Sequence, residues 1–267
     1  MNSQSAAVDG GTLSSHAVIG APCWVSLTTR DLEAVQSFYT AVLGWQWRVG
    51  KLGDRYRFAS VDGVPVAGVS AVRSMGDTAF AWTPFFATDD ADRAVSRGYE
   101  RGGTTALGPI SFPPGRAALL ADRDGAVFGI WEGELVTGWE KWRAAAPAFM
   151  ELHTRNAFDA AMFYAEVLGW ASEAEGCCEA CYEDESVVLR SEGEVVARIH
   201  SGAVESAPDP AIRPRWQIHF AVEDVEACAR AALDHGGSVL ARAAGRPEIT
   251  LSDPDGARFV VYARPAG

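Results

Sequence analysis

An α+β fold that uses one strand–helix–three-strand unit four times is what this sequence predicts, and three landmarks recurring in order predict it. Thr29-Arg30-Asp31 leads through Phe38-Tyr39 to Val42-Leu43-Gly44-Trp45, and Thr154-Arg155-Asn156 leads through Phe163-Tyr164 to Val167-Leu168-Gly169-Trp170. Phe86-Ala87-Thr88-Asp89-Asp90 runs on to Gly102-Gly103, as Phe220-Ala221-Val222-Glu223-Asp224 runs on to Gly236-Gly237. Asp122-Arg123-Asp124-Gly125-Ala126 is answered by Asp253-Pro254-Asp255-Gly256-Ala257. Tyr39 and Tyr164 stand 125 residues apart, so the chain is a duplicated domain whose paired positions can be compared for what each copy keeps.

Each copy divides again. Trp24–Thr28 alternates and is β-prone, and Asp31 can cap a helix with apolar positions Leu32, Val35, Phe38, Val42 and Leu43. Gly44 ends that helix, and strands follow near Tyr56–Val61 and Pro65–Ala71 around an Asp62-Gly63 hairpin turn. The second unit repeats the plan, with a strand at Trp82–Thr88, a helix from Asp90 to Arg101 and strands to Trp131. Units three and four start at Phe149 and Trp216 and end near Ser201 and Tyr262. Asp122-Arg123-Asp124-Gly125 reads as a type I turn; the remaining acidic ligands of a calcium loop are missing.

At 267 residues the chain suits two domains, each able to bury a core. A net charge of −12 with no basic run excludes nucleic acid and anionic membrane surfaces as partners. Residues 1–20 are small and polar without Lys or Arg, which predicts a disordered tail, no secretory leader and a cytoplasmic home. Five cysteines fit a reducing compartment; Cys177, Cys178 and Cys181 read as loop residues, since one C-x-x-C without a second pair is weak evidence for zinc. Between the copies, Trp139 and Trp142 either dock on a domain or, if exposed, mark a homodimer face.

The run D-x-x-x-x-x-x-F-Y-x-x-x-L-G after a short strand, with the D-x-x-G-A turn into a last strand, resembles the vicinal oxygen chelate superfamily. That superfamily includes glyoxalase I, the extradiol dioxygenases and the bleomycin and fosfomycin resistance proteins. The resemblance implies βαβββ modules, two of which close a half-barrel around one cavity, and hence two glyoxalase-like domains. These would span residues 21–132 and 148–267 with a linker at 133–147. Whether modules pair within a copy or across copies stays open at this level. The resemblance also implies a divalent metal at first-strand and last-strand positions, which fall here on Trp24, Thr83, Gly129, Phe149, Gln217 and Val260. None is His or Glu and only Gln217 could ligate, so neither a metal nor another cofactor is expected.

Alternate strand residues share a face, so positions two apart from these line the same cavity. The first copy then offers Trp24, Ser26, Thr28, Thr83, Phe85, Ala87, Val127, Gly129 and Trp131, of which Trp24, Ser26, Phe85 and Trp131 are candidates to contact a flat ligand. The second offers Phe149, Glu151, His153, Gln217, His219, Ala221, Arg258, Val260 and Tyr262. There Glu151 and His219 are candidates for proton transfer, with His153 nearer the strand end, and Phe149, Gln217, Arg258 and Tyr262 are candidates for substrate contact. The same polar residues could simply satisfy one another in a core. His16, His200 and His235 are assigned nothing.

Two functional classes follow. One is a metal-independent enzyme moving protons on a small aromatic or conjugated metabolite, of isomerase, lyase or cyclase type. The other is a small-molecule binding or resistance protein, which the aromatic first cavity motivates. A metal-dependent glyoxalase or dioxygenase ranks third, because the ligand positions lack ligands.

Overall fold

The computed structural model describes residues 13–49, 53–72, 80–136, 142, 149–170, 178–183, 186–191, 193–204 and 213–263. The first copy runs β1 (Pro22–Thr29), α1 (Leu32–Leu43), β2 (Gln46–Val49), β3 (Tyr56–Val61), β4 (Val64–Ala71), β5 (Trp82–Ala87), α2 (Ala91–Glu100), β6 (Thr104–Phe112), β7 (Gly115–Ala121) and β8 (Val127–Gly133). The second runs β9 (Phe149–His153), α3 (Ala157–Leu168), β10 (Glu179–Glu183), β11 (Ser186–Ser191), β12 (Glu194–His200), β13 (Arg215–Val222), α4 (Val225–Asp234), β14 (Ser238–Arg242), β15 (Glu248–Ser252) and β16 (Arg258–Ala263). Helix starts follow the sequence signals: Asp31 accepts from the backbone N–H groups of Glu33 and Ala34, and Asn156, Asp90 and Asp224 cap the other three helices. Gly44 and Gly169 end α1 and α3 at φ 69° and 77°, where a side chain would be strained.

Each copy forms one eight-stranded sheet, ordered β2-β3-β4-β1-β5-β8-β7-β6 and β10-β11-β12-β9-β13-β16-β15-β14. The first strands of the two units pair antiparallel, β1 with β5 and β9 with β13, so modules pair within a copy. The result is α+β, with two curved sheets that each present a concave cup and a helix-covered back.

The helices, by contrast, cross between copies. Phe38 and Tyr39 of α1 pack on Phe259 of β16, while Phe163 and Tyr164 of α3 pack on Phe128 of β8. The three repeated landmarks all meet there. Tyr39 donates to Asp253 at 3.2 Å and accepts from Trp82 at 2.9 Å; Tyr164 donates to Asp122 at 3.0 Å and accepts from Trp216 at 2.9 Å. Asp255 accepts from Thr29 and Arg30, and Asp124 from Thr154 and Arg155. Gly237 and Gly103 complete the symmetry, since a Cβ there would lie 2.6 Å from Phe38 and 3.1 Å from Phe163. The recurring motifs are therefore a mutual lock between the copies, made of turns and small residues that admit the partner's aromatic rings.

Burial pushes Asp253 up to about 6, against the backbone N–H of Ala257 and the Tyr39 hydroxyl, which pull it down. An acid held above its unfolded value of about 3.9 costs stability while ionised, and protonation below about 6 relieves that cost. Compared with Asp253→Asn, the native chain should therefore gain about 2 kcal/mol of stability between roughly pH 7.5 and 4.5. Urea denaturation at several pH values reads this difference; a gap that stays flat would contradict it.

Two sequence expectations are corrected. The tail takes part in the fold from Leu13: Ser14 bridges to Glu134, and the Ser15 hydroxyl accepts from Gly133 N–H at 2.9 Å. Cys181 lies in strand β10 rather than a loop and Cys178 is buried, while Cys177 lies outside the described residues. Trp142 of the linker is buried against Trp24, the docking expected of a linker Trp; Trp139 lies outside the described residues. No helix among the described residues is long and apolar enough to cross a membrane.

Candidate active site

In the second cup, β9 supplies Phe149, Glu151 and His153 from one face by strand alternation. Register sets their neighbours: His219 opposite Phe149, Gln217 opposite Glu151 and Arg215 opposite His153 on β13. On the other side β12 places Arg198 beside Glu151 and His200 beside His153. Val260 and Tyr262 of β16 stand beside His219 and Ala221.

Three imidazoles converge on one carboxylate. The Nε2 atoms of His219, His200 and His153 lie 3.3, 3.5 and 3.6 Å from the oxygens of Glu151. His219 is closed off at 3% side-chain exposure, whereas His153 and His200 are about a third exposed, at 31% and 35%. The Nε2 atoms of His153 and His219 are buried without a linear hydrogen bond, so at these distances they face the carboxylate as polar contacts. Phe149 meets His219 edge-on at 5.4 Å, and Tyr262 lies 6.4 Å from it. Gln217 accepts from Arg215 at 3.0 Å.

Burial alone would push the Glu151 carboxyl up; contacts with His153, His200 and His219 and the charge on His219 together hold it well below the usual carboxylate range. Glu151 is thus held as an anion, which suits it to support a cation on a neighbouring imidazole. An anion facing Nε2 favours the tautomer with its proton there, leaving Nδ1 as the basic nitrogen of each ring. His219 sits behind the carboxylate, and His153 with His200 stands on its more exposed side. His200 was missed because it ends a strand. Its signal was alternation with Arg198 on a strand parallel to β9.

In the first cup aromatic side chains pack on one another and on Trp142 of the linker. Trp142 lies against Trp24 with ring centroids 6.1 Å apart and donates to the Val66 carbonyl at 2.9 Å. Phe58 meets Trp24 at 5.9 Å and Tyr56 meets Phe58 at 5.0 Å. The Tyr56 hydroxyl presses on Gly68, where a Cβ would lie 1.9 Å away, and Phe85 packs on Gly129 in the same manner at 2.3 Å. Burial raises Tyr56 to about 12. Trp131 stands at the rim and donates to the Glu134 carbonyl at 2.9 Å, and Ser26 is half-buried between these rings on β1. Of the residues expected to contact ligand there, Trp24 and Phe85 act as packing.

The metal positions implied by the resemblance do not fit a metal. Trp24, Phe149, Gly129 and Val260 offer no donor side chain, and the Gln217 carbonyl is engaged by Arg215. No group of three or more His, Cys, Asp or Glu among the described residues is arranged to hold an ion, the Nε2 atoms of the cluster being directed at the carboxylate itself. Two surface grooves, about 330 and 260 Å³, lie at the lock between copies, around Arg93, Arg97 and Glu166 and around Asp124 and Arg155. They hold no comparable chemistry.

Residues 149–262 match the family described as glyoxalase-like domain. The chain is 33% identical to the anthracycline biosynthesis protein DnrV of Streptomyces peucetius, over 91% of this chain and 92% of that one. Among solved structures, a variant of homoprotocatechuate 2,3-dioxygenase from B. fuscum in complex with HPCA is similar at TM-score 0.57 and 15% identity, covering 98% of this chain and 74% of that one. A Mn(II)-bound glyoxalase from Novosphingobium aromaticivorans is similar at TM-score 0.55 and 17% identity, covering 94% and 83%. These two likenesses show the fold.

Proposed function

The chain belongs to the vicinal oxygen chelate superfamily as a tandem glyoxalase-like protein, and from that premise we propose that it is an enzyme of proton transfer. Its site is the second cup, its substrate is a small aromatic or conjugated metabolite, and its step needs no metal. One observation carries the reading: three imidazoles gather on one half-buried carboxylate, while the paired face of the first cup holds none. The open rings of His153 and His200 stand 6.0 Å apart, tilted by 34°. One removes a proton from the substrate through Nδ1 and the other returns one elsewhere, an isomerase-type shift that elimination or ring closure can share. Glu151 supports the cation formed on either ring, and His219 holds the carboxylate from behind as a positioning residue. Similarity to an anthracycline biosynthesis protein supports a place in specialised metabolism.

The test follows deuterium entry from D2O into carbon positions of a conjugated probe, 2-hydroxy-1,4-naphthoquinone, by proton NMR. The native chain should accelerate exchange, and His153→Asn or His200→Asn should each lower the rate by at least ~10²-fold. A probe bound stoichiometrically and recovered without exchange would favour sequestration instead. Packing of Trp142 on Trp24 counts against the first cup as the site for that alternative. Metal analysis of the purified chain completes the test, since a stoichiometric ion required for exchange would overturn the metal-free step.

A further inference from the structure

We infer that the second cup selects an anionic aromatic ligand, with the Arg198 guanidinium as its anion contact; this rests on the second cup being the site. The chain carries −12 overall, yet this concave face collects cationic groups. Register places Arg198 beside Glu151 on one flank and Arg258 beyond Gln217 on the other, by way of the β9, β13 and β16 pairings. The Glu151 carboxylate is engaged by His153, His200 and His219, so it leaves Arg198 without a counter-charge. Arg198 lies over the Phe149 ring at 5.7 Å, and neither it nor Arg258 has a carboxylate partner among the described residues. Other charged groups on the face are already accounted for: Arg190 pairs with Glu183 and Arg215 donates to Gln217. Glu248, in register with Tyr262, stands at the rim.

A half-buried guanidinium beside an aromatic ring and without a carboxylate is the complement of a planar oxyanion: a carboxylate, or the enolate of an acidic phenol or quinone. The aromatic body of such a ligand would lie along Phe149 and Tyr262, and its acidic end would meet Arg198. Because the rest of the molecule is acidic, the local positive patch also sets selectivity: it concentrates anions where the remaining surface repels them. The same contact would favour the charge that builds on a conjugated oxygen when a neighbouring imidazole removes a proton.

Calorimetry of the full chain with 1-hydroxy-2-naphthoate and with its neutral amide, 1-hydroxy-2-naphthamide, tests this at about 0.15 M salt, where exposed charges are screened. The anion should bind at least about tenfold more tightly than the amide. Arg198→Gln should erase that preference, Arg258→Gln should weaken it, and Arg242→Gln, an exposed control, should leave it intact. Equal binding of the two probes, no binding of either by a chain whose circular dichroism is native, or a preference that survives Arg198→Gln would each overturn the inference. Binding is read here without turnover. A chain that prefers the anion but exchanges no deuterium keeps the ligand class and loses the catalytic reading; the reverse pattern does the opposite.

Discussion

Glu151→Gln is expected to lower proton exchange at least ~10²-fold while leaving the fold and probe binding largely in place. The carboxylate is the common contact of His153, His200 and His219, at 3.3 to 3.6 Å. A neutral amide keeps the shape but gives up the charge that stabilises an imidazolium. It also presents an N–H to at least one ring, which turns that ring towards the wrong tautomer. Both changes act on the step in which a ring carries the substrate's proton, so kcat should fall far more than KM rises. Thermal unfolding separates this from a structural loss: melting should shift by a few degrees at most, since the three rings remain packed. Unchanged exchange would remove Glu151 and the rings around it from the reaction. Loss of folding would mean the cluster is a core network instead.

The fold was legible because four units carry the same punctuation. Caps at Asp31, Asp90, Asn156 and Asp224 and glycines after each helix are local signals, and local signals survive in sequence. The cup face was legible for the same reason, as alternation needs only the strand: Glu151, His153, Gln217, Arg258 and Tyr262 were all placed by counting by two. What failed needed partners from elsewhere. His200 joins Glu151 only through the parallel pairing of β12 with β9, which a strand's own sequence does not state. The landmarks that announced the duplication also tie one copy to the other, through Tyr39 with Asp253 and Tyr164 with Asp122. Repetition marked the interface, and the imidazole–carboxylate cluster sits where the copies differ.

That division explains the two cups together. A duplicated fold needs both copies for its lock, since each first helix packs on the other copy's sheet, so neither can be lost without exposing the aromatic rings between them. Only one cup has to hold the cluster. In the first copy Tyr56 and Phe85 instead turn over glycines, and Trp142 of the linker packs on Trp24.

Trp142→Ala should therefore show the largest stability loss in the chain, about 3–5 kcal/mol. The indole is 2% exposed, lies on Trp24 and donates to Val66, so its removal discards apolar burial, a ring contact and a buried hydrogen bond at once. The Val66 carbonyl belongs to β4 and cannot close the gap by itself. Trp24 and Phe58 are held by their own strands, so the cup should keep a hole of indole shape rather than collapse. Added indole should then raise the melting temperature of the variant in a concentration-dependent way and leave the native chain unmoved, as expected for a ligand that binds only the folded variant. A loss under about 1 kcal/mol, or the same response to indole in both proteins, would show that Trp142 does not fill the cup. The expected result would mean that the first copy still has the walls of a binding site and is closed by one side chain of the linker.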